Sequence, residues 1–371
     1  MILVHSEEQK RLFTGRKYYL ELLRKEKKLI LAGIRNAGKS ALLKEFLSGK
    51  KESLYLDLEK LSLTPEDFAV EVIGNTAFSL KNAAVKDYSK FMDIEFLFSI
   101  KNSFEKSELI SVVHNELQKI KPDQKLLVES ALKFANQCKI IIIDEFWKIL
   151  DLENFAQIKD IISLFKENLS QNVSYILSSS AVALTKDINK KLGFKLEEIG
   201  GFDLEETAEF VNKIIKVDKT TAEKIFKLTS GIPFYVYAVA NKYKETKNVE
   251  KAFVLEVLGT IGLIRNSVKN SLNHSLNRAR GKTLLWSVLK VLANNSLRLS
   301  EISRAIHRSS AVTNNLLNRL LMVDLIEKKD SKFQFSDKIM QYYVSKIEFE
   351  FDVIPDKKII AELVKELEQW K

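Results

Sequence analysis

The stretch GIRNAGKS at residues 33–40 constrains this 371-residue chain more than any other feature. It fits the pattern Gly-x-x-x-x-Gly-Lys-Ser, with two glycines followed by Lys39 and Ser40. The short apolar run KLILAG ends in this stretch, and SALLKEFL, which has the composition of a helix, continues from it. A strand, a glycine-containing loop and a helix in this order predict a phosphate-binding loop. The alternative is an ordinary glycine-containing turn in front of a helix.

Each residue type in this loop suits an anionic ligand. Glycine at 33 and 38 lets the backbone wrap closely around phosphate oxygens, and successive N–H groups at the helix N-terminus face the anion. Lys39 is expected to reach the β and γ phosphates, and Ser40 is expected to offer its hydroxyl to Mg²⁺. The residues predicted to bind ATP or ADP here are Gly33, Asn36, Ala37, Gly38, Lys39, Ser40 and Ala41.

Two later apolar segments end in polar residues that complete such a site. KIIIID at 139–144 ends at Asp144 and is followed by Glu145. Because open parallel sheets bind ligands at the carboxyl ends of their strands, Asp144 is predicted to hold the Mg²⁺ shell. Glu145 is predicted to be the general base toward the attacking water, and Lys39 to be catalytic as well. The alternative for Glu145 is a negative charge at a helix N-terminus.

The second of these apolar segments is VSYILSS at 173–179, which ends in serines. Ser178 is the predicted contact to the attacking water or to the γ-phosphate. A polar turn between a strand and a helix explains this serine equally well.

Wholly apolar strands that alternate with helices predict an α/β fold, with a parallel sheet covered by helices on both faces. Residues 61–138 are predicted to be helices inserted between two core strands, and no strand is expected directly after Gly200 and Gly201. Amphipathic patterns at 203–215 and 221–243 predict a helical region there. The predicted strands are 28–33, 53–58, 139–144 and 173–179.

Composition excludes several classes of protein. The chain has one cysteine and four histidines, so it has no internal disulfide and no Cys/His zinc site is expected. The N-terminus does not have the pattern of a signal peptide, and no apolar run approaches 18 residues. The expectation is a cytoplasmic protein with no membrane partner.

The net charge is concentrated near the C-terminus. The 84 residues 265–348 contain 15 Lys and Arg against 6 Asp and Glu, a net charge of +9 out of +10 for the chain. Such asymmetry favours a polyanionic partner for this region, and a merely solubilising surface is the alternative.

Within this basic region the pattern predicts a helix at 283–295 and a second helix at 298–307 with Ser300 as its N-cap. A short turn, a third helix at 311–326 and a hairpin at 327–337 are predicted to follow. This is the order of a winged helix-turn-helix. Val312, Leu316 and Leu320 are expected to face the core of the module. The residues expected to contact double-stranded DNA are Thr313, Asn314 and Asn318 in the groove and Arg308, Lys328, Lys329 and Lys332 on phosphates. The alternative is docking of a protein partner.

Taken together, these motifs resemble archaeal ATPases of the AAA+/STAND type, which are P-loop proteins with a helical lid and a C-terminal winged helix. The resemblance implies that Gly15 and Arg16 of FTGR lie by the adenine, and that Gly231 and Pro233 of SGIPF form the Gly-x-Pro motif of the lid. The domains it implies are a P-loop nucleotide-binding domain at 1–201, a helical lid at 202–280, a winged helix-turn-helix at 281–348 and a helical tail at 349–371.

One departure from the family affects the expected rate. Members usually carry Gly-Arg after the third strand, whereas Gly193 is followed by Phe194, and only lysines at 190, 191 and 195 are nearby. A lysine lacks the planar fork of arginine, so hydrolysis is expected to be slow or to need an activator. The leading hypothesis is an ATPase whose nucleotide state repositions a DNA-binding module. Its rival is a STAND-like switch or scaffold that binds ATP to recruit proteins, with little hydrolysis.

Overall fold

The computed structural model describes residues 11–349 and 357–368. The contacts between Cα atoms divide the chain into two compact units, and each is described by itself. The first unit contains Arg16–Gly33 and Lys39–Ile199, and the second contains Arg11–Gly15, Ile34–Gly38 and Gly200–Lys371. The finer division into four domains stays a prediction.

A five-stranded parallel sheet forms the centre of the first unit, in the order β2-β3-β4-β1-β5. The four predicted strands are present, and a fifth, β5, lies beside β1 at an edge of the sheet. The strands are β1 (Lys28–Ala32), β2 (Ser53–Asp57), β3 (Ile140–Asp144), β4 (Ser174–Ser179) and β5 (Lys195–Glu198).

The register of the sheet brings the polar strand ends together. Asp57 lies opposite Asp144, and Ala32 lies opposite Ser179, so that the carboxyl ends of four strands meet at one edge. The N–H of Gly33 donates to the carbonyl of Ser179 over 3.1 Å and extends this pairing into the loop. The loop after β1 therefore starts at the same edge as the acidic end of β3.

Helices surround this sheet, and those between β2 and β3 make up the predicted insertion. The helices of the first unit are α1 (Lys17–Lys25), α2 (Lys39–Leu47), α3 (Pro65–Lys81), α4 (Ile94–Ile100), α5 (Ser107–Leu117), α6 (Gln124–Ala135), α7 (Ile161–Glu167) and α8 (Val182–Leu192). Helix α3 begins with Pro65 at its first position, and the Thr64 hydroxyl accepts from the N–H of Asp67 over 3.1 Å.

The single cysteine of the chain, Cys138, lies directly before β3 and is 1% exposed. Burial raises the pKa of its thiol to about 12, and the nearby Glu52 carboxylate acts in the same direction. The thiol is therefore neutral at physiological pH.

The second unit is helical and ends with a hairpin and two helices. Its helices are α9 (Leu204–Ile214), α10 (Lys219–Thr229), α11 (Pro233–Thr246), α12 (Val249–Leu258), α13 (Leu263–Ala279), α14 (Lys282–Leu292), α15 (Leu299–Ala305), α16 (Ser310–Met322), α17 (Lys338–Ser345) and α18 (Lys357–Glu368). The predicted helical stretch 221–243 is two helices, because Ser230 and Gly231 both have positive φ, 51° and 66°. That backbone conformation ends α10 and lets α11 begin at Pro233.

The basic region contains three helices, α14 to α16, and then an antiparallel hairpin of β6 (Ile326–Lys329) and β7 (Lys332–Phe335). Asp330 and Ser331 form its two-residue turn with φ of 48° and 65°, as tight hairpins require. The prediction of Ser300 as an N-cap was wrong. Helix α15 begins at Leu299 after Arg298, and Ser300 lies inside it.

The described part of the chain contains no helix long and apolar enough to cross a bilayer.

Candidate nucleotide site

The loop after β1 has the backbone expected of a phosphate cradle. Asn36 and Gly38 have positive φ, 69° and 88°, and the chain enters α2 at Lys39. Gly33 does not have positive φ, and a glycine is required at this position for a steric reason. A Cβ on Gly33 would lie 2.2 Å from the carbonyl oxygen of Ile199, so any side chain would collide with the backbone there. The side chains of Ser40 and Ala41, in the first turn of α2, are exposed.

The ammonium of Lys39 folds back over the loop that it follows. Its Nζ donates to the carbonyl of Gly33 over 2.7 Å, and the side chain is buried. This contact holds the positive charge against the loop backbone. If a phosphate binds there, the Lys39 ammonium would exchange the Gly33 carbonyl for an anionic partner.

Asp144 is the centre of a hydrogen-bond network at the carboxyl end of β3. Its Oδ2 accepts from the Ser40 hydroxyl over 2.6 Å and from the Tyr55 hydroxyl over 2.6 Å. Its Oδ1 accepts from the Ser178 hydroxyl and from the N–H of Glu145, the latter over 3.1 Å. The structure thus brings together the three side chains predicted from three separate segments, at 40, 144 and 178.

Sequence reasoning missed Tyr55, which lies in the middle of β2 and is 3% exposed. Burial raises the pKa of its phenol, and the carboxylate of Asp144 raises it further, so the hydroxyl stays a donor at any physiological pH. A tyrosine in an apolar strand is typical of a core position. The only sequence signal was its place two residues before the polar end of a strand.

Ser178 is completely buried, and its hydroxyl donates to Asp144. This contact assigns it a place in the carboxylate network, and its predicted contact to the attacking water stays a prediction. The serine two positions later has a different partner. Both the N–H and the hydroxyl of Ser180 donate to Glu145 Oε2, over 3.0 and 2.7 Å.

Glu145 is held by three hydrogen bonds on a single oxygen. Besides the two from Ser180, the indole N–H of Trp147 donates to Oε2 over 2.7 Å. Glu145 precedes a 3₁₀ helix, Phe146–Asn154, but its side chain makes no capping hydrogen bond there. Its backbone has φ of 54°, in the left-handed region that non-glycine residues rarely adopt. Strain of this kind clusters at functional sites.

The donor set fits Mg²⁺. The Ser40 hydroxyl and the Asp144 carboxylate are hard oxygen donors, and Mg²⁺ is commonly held by one or two protein oxygens with phosphates and water completing its shell. The described residues contain no cluster of three or more His, Cys, Asp or Glu that would form a protein-only metal cage. Ser40 and Asp144 are the residues that would hold the ion, and bound Mg²⁺ would supply charge neutralisation for phosphate oxygens.

Gly15 and Arg16, the predicted adenine contacts, both have positive φ, 65° and 62°. A Cβ on Gly15 would lie 2.1 Å from Oε1 of the flexible Glu206 side chain, so the positive φ, more than this contact, favours glycine at this position. Arg16 is buried at the start of α1, with its guanidinium carbon 5.6 Å from the centre of the Tyr19 ring. Their contact to adenine stays a prediction.

Within the second unit, the predicted Gly-x-Pro motif lies against the loop residues of that unit. The position of a Cβ on Gly38 is 3.5 Å from Pro233 Cγ. A Cβ on Gly231 would lie 2.1 Å from the carbonyl oxygen of Phe202, and the N–H of Phe202 donates to the Gly231 carbonyl over 2.7 Å. The two glycine-dependent turns thus fix the start of α11 next to the loop.

Polar contacts within the second unit involve the same loop and the helices α11, α13 and α17. The Asn36 amide donates to the Ser267 hydroxyl of α13 over 2.8 Å. The Asn36 side chain also lies near the Tyr235 hydroxyl. Tyr235 donates to Asp337 Oδ2 over 2.8 Å. Asp337 is the N-cap of α17, where its other oxygen accepts from two backbone N–H groups. Burial raises the pKa of both Tyr235 and Asp337.

The three lysines near the expected arginine position are all in ion pairs. Lys190 is 2.7 Å from Asp187, Lys191 is 2.9 Å from Asp160, and Lys195 is 3.1 Å from Glu26. Each pair is at least partly exposed to solvent, so each contributes little to stability. The pairs nevertheless give each ammonium a carboxylate partner within the first unit.

Of the predicted DNA contacts, Thr313 was wrong. Its side chain is completely buried, and its hydroxyl donates to the Ser309 carbonyl over 3.0 Å, whereas Val312 is 43% exposed. The buried positions of α16 are 313, 316, 317 and 320. The first buried position is therefore 313 and not 312 as expected. Asn315 takes the exposed place that was predicted for Thr313. The other predicted DNA contacts are exposed, namely Arg308, Asn314, Asn318, Lys328, Lys329 and Lys332.

The comparisons with known proteins agree with this geometry. No protein-family model matches the chain, and no curated protein matches it. Among solved structures, the Walker-type ATPase Paby2304 of Pyrococcus abyssi is similar over 92% of this chain and 96% of its own, with 20% identity and a TM-score of 0.61. A STAND protein with a tetratricopeptide repeat sensor from Pyrococcus horikoshii aligns with 97% of this chain and 46% of its own, with 18% identity and a TM-score of 0.39. The first of these likenesses shows that the chain has the α/β fold of a P-loop ATPase, followed by a helical C-terminal region.

Proposed function

We propose that this chain is a Mg²⁺-dependent ATPase of the P-loop type. The observation that carries the proposal is the meeting of Ser40, Asp144 and Glu145 at the edge where the loop begins. The donors and acceptors there are those that ATP hydrolysis needs: a cradle for phosphates, oxygen ligands for the ion and a carboxylate to accept a proton from water. Phosphoryl transfer depends mainly on positioning and charge, and these residues supply both.

ATP turnover of the wild-type protein and of Glu145→Gln tests this proposal. Glutamine keeps the shape of the side chain but cannot accept a proton, so turnover is expected to fall by about 10²- to 10⁴-fold while ATP still binds. Glu167→Gln, an exposed change on α7, is the matched control and should leave turnover unchanged. Equal turnover by Glu145→Gln and the control would remove Glu145 from the catalytic role.

The second part of the proposal is that nucleotide state is coupled through α11 to a C-terminal winged helix. Its support is the position of the Asn36 side chain, on the phosphate loop, near the Tyr235 hydroxyl, which donates to Asp337 at the N-cap of α17. The Asn36 amide also donates to Ser267 of α13. The helices α14 to α16 and the hairpin follow one another in the order expected of a winged helix.

We further propose that the winged helix binds double-stranded DNA. The support is the net charge of +9 between residues 265 and 348, together with the exposure of the asparagines of α16 and of the lysines of the hairpin. Lysines at a hairpin meet phosphates, and asparagine pairs with the edge of adenine. Binding of a duplex by the full chain should weaken linearly with the logarithm of the salt concentration, since phosphate contacts release counterions. An affinity independent of salt would contradict DNA binding.

A STAND-like switch that binds ATP with little hydrolysis is the second candidate. Two observations favour it: Glu145 Oε2 already accepts three hydrogen bonds, and lysines stand where family members carry an arginine. Glu145 must give up part of this bonding before it can take a proton from water. Tight ATP binding without turnover, both with and without duplex DNA, would select this candidate.

A further inference from the structure

The carboxylate of Asp144 accepts four hydrogen bonds. A carboxylate has about four lone-pair positions. Ser40 and Tyr55 fill two of them on Oδ2, and Ser178 and the N–H of Glu145 fill two on Oδ1. Asp144 is 1% exposed, so its ionised form depends on these donors in place of water.

Three of the four donors belong to segments with a recognisable role in the site, and Tyr55 does not. It comes from β2, where it lies opposite Ile142 in the register with β3, and its ring fills a core position. A phenylalanine would fill the same space without a hydroxyl. The hydroxyl is therefore the part of the residue that needs an explanation, because an apolar core does not use it.

The shared oxygen gives that explanation. Tyr55 and Ser40 donate to the same atom, Oδ2, each over 2.6 Å. The phenol is on a rigid strand and the serine is in the first turn of α2, so Tyr55 fixes the orientation of Oδ2 independently of the loop. With Tyr55 in place, the carboxylate presents Oδ2 to Ser40 before any ion arrives.

We propose that Tyr55 is a positioning residue that preorganises Asp144 for the Mg²⁺ shell. This inference rests on the proposed nucleotide function and deepens it. Residues that hold a metal ligand in place commonly change the metal affinity by about 10- to 100-fold when they are removed. Tyr55 acts through Asp144, to which its buried hydroxyl donates.

The test is Mg²⁺ titration of Tyr55→Phe with a bound fluorescent ADP analogue, in parallel with the affinity for the analogue in EDTA. The Mg²⁺ concentration at half-effect is expected to rise by about tenfold or more, because Asp144 loses a donor that fixes its orientation. The affinity in EDTA should stay within about twofold of wild type, because Tyr55 is buried in β2 and its hydroxyl donates to Asp144.

Tyr175→Phe is the matched control. Tyr175 is a buried tyrosine on β4 whose hydroxyl bonds Asn136 and the N–H of Ser170, away from the carboxylate. The Tyr175→Phe variant should lose about as much thermal stability as Tyr55→Phe, and its Mg²⁺ midpoint should equal that of the wild type. An unchanged or lower midpoint in Tyr55→Phe would overturn the inference, as would an equal shift in the control. If the wild-type protein shows no Mg²⁺-dependent nucleotide binding at all, the proposed function itself fails.

Discussion

Gly231 and Gly49 have similar backbone conformations, with φ of 66° and 76°, and very different surroundings. A Cβ on Gly231 would lie 2.1 Å from the Phe202 carbonyl oxygen, whereas a Cβ on Gly49 would meet no atom within 4 Å. Gly49→Ala therefore tests left-handed strain alone, and Gly231→Ala adds a collision with backbone.

We expect Gly49→Ala to lower the free energy of unfolding by about 1 kcal/mol and Gly231→Ala by about 3 kcal/mol or more. Urea unfolding followed by circular dichroism measures both. Equal losses for the two variants would mean that the contact with Phe202 relaxes without cost.

At the scale of single residues, functional side chains in a recognisable motif can be predicted from the sequence, whereas functional side chains in the core cannot. Ser40 was predicted from the glycine-containing loop, and Asp144 and Ser178 were predicted from the ends of apolar segments; the structure joins the three in one network. Tyr55 has the same partner, but an aromatic residue in a strand is explained by packing alone. Only the register of β2 against β3 places its hydroxyl next to Asp144.

At the scale of single elements, helix α16 shows how a small error in a helical face moves a predicted contact. The apolar series 312, 316, 320 suggested a core face that excludes Thr313. The real face runs through 313, 316, 317 and 320, because a threonine can be buried once its hydroxyl bonds a carbonyl one turn earlier. The exposed face then carries Asn314, Asn315 and Asn318.

Two neighbouring substitutions on α16 test the DNA proposal. Asn314→Ala is expected to reduce affinity for a duplex containing the preferred site by about 1–3 kcal/mol, if Asn314 reads a base. Thr313→Val changes the adjacent buried residue and should leave affinity unchanged. Fluorescence anisotropy with a labelled duplex measures both affinities, and an equal effect of the two changes would assign the loss to the fold of the helix.

The elements of the sheet were predicted to different degrees for a physical reason. Strands β1, β2, β3 and β4 lie in the interior of the sheet or are rich in apolar residues, so burial marks them in the sequence. Strand β5 (Lys195–Glu198) was not predicted, since it lies at an edge and three of its four residues are charged. Charged edge strands avoid pairing with other chains, and the same charges hide them from a search for apolar runs.

At the scale of the whole molecule, the contacts of Tyr235 allow the proposed coupling to be separated from binding. Tyr235→Phe removes the hydroxyl that donates to Asp337 and lies near Asn36, and it keeps the ring. We expect nucleotide affinity to change by less than about threefold, and the nucleotide-dependent change in hydrogen exchange at the first turn of α17 to be lost.

Tyr243→Phe, on the same helix α11, is the control and should retain that change. Mass spectrometry of exchanged peptides, with and without ADP, provides the measurement. If Tyr235→Phe responds to ADP in α17 as the wild type does, nucleotide state reaches α17 by another route than the Tyr235 hydroxyl.

The burial of Cys138 has a practical consequence for following such changes. Its thiol is 1% exposed and its pKa is about 12, so almost none of it is the thiolate that reacts with maleimides at neutral pH. The natural chain is therefore close to a cysteine-free background. Two cysteines introduced on the surface, one in each compact unit, can carry a donor and an acceptor dye without any change to the native sequence elsewhere. The distance between the dyes could then be followed in solution as ATP is bound and released.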